Sequence, residues 1–168
     1  MLDIAHLLEQ AERLAEATDG IDRPRPTDLR RAVSAAYYAV FHAGLIAAAD
    51  AFSGKADRES AAYGLVYRSV DHAKMKALCQ EIIKQKPSTK FQKYRPTEGW
   101  DPFLVGYSEA FITLKEQRML ADYDPGYRIA PAEVEVYIST ARSAVDRLDS
   151  ANGASKRVFL MLLLFPPR

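Results

Sequence analysis

The stretch Asp28-Leu-Arg-Arg-Ala-Val-Ser-Ala-Ala-Tyr-Tyr-Ala-Val-Phe-His42 decides how this chain reads. Its alanines favour a helix, because alanine gives up no side-chain freedom on entering one. Arg31, Ala35, Tyr38 and His42 fall at i, i+4, i+7 and i+11, so they stack along one side of a 3.6-residue helix. The remaining faces are mostly apolar. Burying an Arg, a Tyr and a His costs free energy unless each finds a partner. The stripe therefore meets another polar surface or lines a site of chemistry.

Outward from this stretch, helical signals continue in both directions. Thr27 is a suitable N-cap, and the helix is predicted to run to about Ala51, where Ser53-Gly54 breaks it. Upstream, Asp22 to Asp28 holds two prolines and reads as a linker. Before it, Ile4, Leu7, Leu8, Ala11, Leu14 and Ala15 mark a helix within Leu2 to Thr18, with Gly20 as its stop. Downstream, Glu59 to Arg68 is a possible helix, and Met75, Leu78, Cys79, Ile82 and Ile83 stripe another from about Val70 to Lys86. Pro87 to Asp101 reads as a long loop with Trp100 anchoring its end.

Pro102 suits the first turn of a helix to about Ala121, with Phe103, Tyr107, Phe111, Leu114 and Arg118 on one face. Asp122-Tyr-Asp-Pro-Gly is a turn signal. Pro131 opens a further helix with Val134, Ile138, Ala141, Val145 and Leu148 in register, and Asn152-Gly153 ends it. Ser155 then caps an apolar tail helix. No segment alternates with period two. The expected fold is all-α, an up-and-down bundle of five or six helices. Residues 1–27 form an N-terminal helix and linker, 28–150 the bundle, and 151–168 a tail that packs on the same domain or on a partner.

Composition narrows the function classes. Net charge is +1, which gives no footprint for nonspecific binding to duplex nucleic acid, although a local basic patch stays open. A single cysteine, Cys79, excludes an internal disulfide and a cysteine metal cage. His6, His42 and His72 lack ligand-pair spacing, so neither metal nor cofactor is expected. No Gly-rich phosphate loop occurs. The longest apolar run, Val158 to Phe165, has eight residues, whereas a membrane span needs about 20. The start of the chain lacks a basic-then-apolar leader pattern, so a cytoplasmic protein without a membrane partner is expected.

Three pieces together resemble the HEPN superfamily of small helical domains. They are Leu29 to His42 with its Ala-Tyr-Tyr-Ala-x-Phe-His core, then Arg68-Ser-Val-Asp-His72 with Lys74-Met-Lys, and Gln117-Arg-Met-Leu-Ala-Asp-Tyr-Asp-Pro125. Their order and spacing cover most of residues 28 to 150. The resemblance implies a bundle that dimerises through its motif-bearing helices and associates with RNA. Many such domains are metal-independent ribonucleases, some of them toxins paired with a nucleotidyltransferase-like antitoxin. Others have lost the active site and serve as binding or assembly modules.

The resemblance also implies a catalytic signature on one helix: an arginine, four to six intervening residues, then a histidine. His42 matches the histidine, but Ala35 stands where the arginine is expected and has no guanidinium. Arg31 shares the face but lies about 16 Å along the axis from His42. Within one subunit the two cannot hold one phosphate. In an antiparallel dimer, Arg31 of one subunit would approach His42 of the other. Arg118 is the other candidate replacement.

A histidine near its ordinary pKa can accept or donate a proton in attack of a ribose 2′-hydroxyl on its phosphate. His42 is the acid-base candidate; otherwise it is a structural histidine bonding between helices. Arg118 and Asp122 are four apart and form an ion pair or a binding feature, and Tyr38 joins them as a binding candidate. His72 either packs or forms a second polar site. The leading reading is a dimeric, RNA- or partner-binding module with a degenerate catalytic motif. The alternative is a metal-independent ribonuclease of the kind that serves as the toxin of a toxin-antitoxin pair.

Overall fold

A computed structural model describes residues 2–16 and 23–167. Eight α-helices occur among them, with no strand: α1 (Ile4–Ala15), α2 (Pro26–Ser53), α3 (Ala61–Arg68), α4 (His72–Ile83), α5 (Thr89–Gln92), α6 (Pro102–Tyr123), α7 (Pro131–Ser150) and α8 (Gly153–Leu164). A 3-10 turn, Lys55–Asp57, follows α2. The all-α expectation holds. The short α3 and α5 take the number above five or six, and α5 is a four-residue helix, too brief to show a period in sequence.

α2 is the centre of the molecule. It packs against α1, α3, α6, α7 and α8, while α4 lies on α6 and α8. Its alanines and apolar residues face protein on nearly every side, as expected for a helix that is apolar around its circumference. Among the described residues, α2 alone would pass for a membrane span by length and composition, but 78% of its most apolar stretch is buried inside the bundle. Tyr37, Tyr107, Phe111, Phe159, Met75 and Leu114 are the large side chains fully enclosed around it. Gly44 permits the closest approach: a Cβ there would lie 2.5 Å from Tyr107 Oη and 2.7 Å from Met75 Cε.

The ends are set by local chemistry. The second helix begins two residues earlier than expected, with Pro26 in its first turn and Arg25 rather than Thr27 at the N-cap position. Proline there loses no useful N–H and its φ already suits a helix. Gly54, at φ +89°, ends it. Asp71, Asp101 and Asn152 cap α4, α6 and α8 by accepting from backbone amides of the first turn. Thus Asn152, not Ser155, starts the tail helix; Ser155 is buried and its hydroxyl accepts from Asp101 N at 3.3 Å. Arg30 closes the far end of α6, donating from Nε to Ala121 O at 2.7 Å and from Nη2 to Asp124 O at 2.6 Å. A cation there also suits the helix dipole.

α8 lays Phe159, Leu160, Leu162 and Leu163 into the shared core. Cys79 on α4 is fully buried, and loss of solvent pushes its thiol up to about 12. Phe103, read on one face with Tyr107 and Phe111, is 48% exposed, whereas its neighbour Leu104 is fully buried. The proposed stop at Gly20 lies outside the described residues, as does part of the linker.

Candidate functional site

The middle of α2 meets α3, α4 and α6 at a cluster of two histidines, three tyrosines and an arginine. Adjacent residues diverge by about 100° on a helix, so Tyr37 and Tyr38 separate. Tyr37 is buried in the core; Tyr38 is half-buried beside His42 one turn on. The Tyr38 and His42 rings stack with centroids 6.0 Å apart. His72, in the first turn of α4, comes against the same group, 4.0 Å from Phe41 and 6.0 Å from Tyr38 between ring centroids.

Each histidine is tied to a phenol. Tyr67 Oη and His42 Nδ1 share a 2.6 Å hydrogen bond, and so do Tyr37 Oη and His72 Nδ1. Burial lowers both histidines from their ordinary value of 6.5; beyond that, His72 depresses His42, and Arg118 and Lys115 depress His72. Burial raises both phenols, Tyr37 and Tyr67, so each keeps its proton. A neutral imidazole then accepts from the phenol at Nδ1 and carries its own proton on Nε2. In this tautomer the open Nε2–H is a hydrogen-bond donor, and the lone pair on Nδ1 is engaged by the phenol.

Arg118 arrives from α6. Its Nη2 donates to Tyr38 Oη at 2.7 Å, and its guanidinium lies over the rings of Tyr37, Tyr38 and Tyr123 at 5.9, 5.4 and 5.3 Å. Its Nε is 2.7 Å from Asp122 Oδ2, an ion pair at i, i+4. The Nε–H is not directed at that oxygen, and it has no hydrogen-bond acceptor. Ser34 Oγ donates to Asp122 Oδ1 at 2.5 Å and fixes the carboxylate from α2. Lys115, one turn before Arg118, is lowered by burial and by the neighbouring charges of Lys76 and Arg118. These cations have acidic neighbours: Asp122 pairs with Arg118, and Glu116 pairs with Lys76.

Of the residues singled out in sequence, Tyr38, His42, Arg118 and Asp122 come together here. Arg31 does not: it is exposed, and none of the bonds that build the cluster involve it. Ala35 is buried, so the predicted stripe is covered in its middle. Tyr67, Lys115 and Ser34 escaped the sequence reading. Ser34 and Lys115 carried a signal in their spacing, four before Tyr38 and three before Arg118, which puts each on a site-facing side. Tyr67 carried none, because its place depends on how α3 folds back on α2. Among the described residues, no group of three or more His, Cys, Asp or Glu could hold a metal ion. No protein-family model, no curated protein and no solved structure matches this chain.

Proposed function

We propose that this chain is a HEPN-like helical module, cytoplasmic and homodimeric, that holds single-stranded RNA at the Tyr38–His42–Arg118 face. The carrying observation is the guanidinium of Arg118 over Tyr38. It supports the reading because α6 brings to the α2 stripe the cation that Ala35 lacks. Arginine pairs with phosphate oxygens, and nearby Tyr123 and Tyr67 offer rings on which bases can stack. Tyr38 accepts from Arg118 and keeps its own hydroxyl proton for a ligand.

The test is retention of mixed RNA in EDTA by a gel-shift assay. Wild type is expected to retard RNA intact, and Arg118→Ala to weaken binding about tenfold or more with an unchanged circular dichroism spectrum. No retardation by wild type would sink the proposal and favour a protein partner such as a nucleotidyltransferase-like antitoxin.

A second reading, metal-independent cleavage, is favoured by one observation: both histidines are oriented through Nδ1, which leaves both Nε2 atoms free. Cleavage in EDTA that disappears in His42→Ala would establish it.

A further inference from the structure

A groove of about 890 Å³ opens between the last turns of α2, the end of α7 and α8. It is separate from the histidine cluster. Ile46, Ala47, Leu160 and Leu164 form its floor. Phe52 and Phe165 touch at one end with ring centroids 5.8 Å apart, and with Met161 they remain more than half exposed. Three large apolar side chains thus stand exposed together along one groove rather than singly.

The rim is basic. Lys55, Arg58, Lys156 and Arg157 border the groove against two acids, Asp50 and Asp149. Asp50 is already neutralised, taking two bonds from Arg58 at 2.9 and 2.5 Å and one from Tyr63 Oη at 3.0 Å. Asp149 makes only a long 3.9 Å contact with Lys156. Lys55 and Arg157 form no ion pair among the described residues. The cations also lie at separate places. Lys55 and Arg58 follow Phe52, whereas Lys156 and Arg157 precede Phe165 by more than two turns of α8, roughly 12 Å. One anionic head group cannot satisfy both. A helix of three turns can, with apolar residues on the floor and acids on both flanks.

We infer that this groove docks an acidic amphipathic helix of a partner protein. Apolar side chains spaced i, i+3 or i+4, and i+7 fill the floor, and flanking carboxylates meet Lys55 and Arg157. The rim charges set the choice of partner, and the floor supplies most of the affinity.

The test uses the full chain and a fluorescent 14-residue peptide with leucines at helical spacing and glutamates elsewhere. Its control carries lysines in place of the glutamates. The glutamate peptide is expected to bind about tenfold or more tightly than the lysine peptide. Lys55→Glu with Arg157→Glu is expected to reverse that order. Both residues are exposed and unbonded, so the variant should keep its fold by circular dichroism. Ala47→Trp, which fills the floor, is expected to abolish binding of either peptide.

Equal binding of the two peptides, or binding of neither, overturns the inference. So does a wild-type dimer in sedimentation that Ala47→Trp dissociates, which gives the groove to a second copy. Displaceable binding of laurate without peptide binding overturns it in favour of an anionic lipid.

Discussion

At the scale of the residue, Arg118 is held by a bond to Tyr38, by the ion pair with Asp122 and by the neighbouring rings of Tyr37 and Tyr123. Its ion pair is neither exposed nor fully buried. Its worth should fall between the small value of a surface pair and the several kcal/mol of a buried one. A double-mutant cycle of Arg118→Ala and Asp122→Ala, followed by urea unfolding, is expected to give a coupling of about 1 kcal/mol. His42 and His72 make a second prediction. Both are lowered from 6.5 in the folded chain, so the unfolded chain binds more protons as pH falls below that value. Stability should therefore decline on acidification from about 6.5 down to the depressed folded values, and then level off. His42→Gln and His72→Gln should each flatten the decline in chemical denaturation between pH 7 and 5. Sequence placed Tyr38 beside His42 because both lie on one helix. It left the choice of arginine open, because Arg118 stands 80 positions from Tyr38 and no local period carries that distance.

At the scale of the element, the course of α2 was legible because its composition allows only one environment. An alanine-rich helix with almost no polar side must be enclosed, and the stripe at Tyr38 and His42 marks where the enclosure changes character. Its ends were less legible. Thr27 and Arg25 differ by half a turn, and the proline between them settles the start. Asn152 read as a stop for one helix and serves as the cap of the next, accepting from Ala154 N at 3.0 Å. Asn152→Ala should cost about 1 kcal/mol in thermal or urea unfolding. Gly44 is a stricter position, since the added methyl of Gly44→Ala would strike Tyr107 and Met75. The methionine can yield, whereas Tyr107 is held by its bond to Val40 O at 3.1 Å. A loss of about 1–3 kcal/mol is expected, with the chain still folded.

At the scale of the whole molecule, the tail is the part most in need of partners. Phe159 is fully buried against Tyr107, edge to face at 5.9 Å. Phe159→Ala should cost about 3–5 kcal/mol, and deletion of residues 155 to 168 should leave the chain unfolded or associating, read by melting temperature and sedimentation. An unchanged melting temperature and oligomeric state would refute that. The bundle as a whole could be anticipated from helical periods and proline breaks. The groove beside α8 could not, since it exists only where three helix ends diverge. One further consequence follows from Cys79. The chain has a single thiol, enclosed between α4 and its neighbours and silent while they stay together. A thiol reagent can reach it only during moments when α4 lifts away. The labelling rate under native conditions is thus a clock for that opening, and its ratio to the rate in urea gives the free energy of the event. Cys79 is a built-in stopwatch that requires no engineered probe.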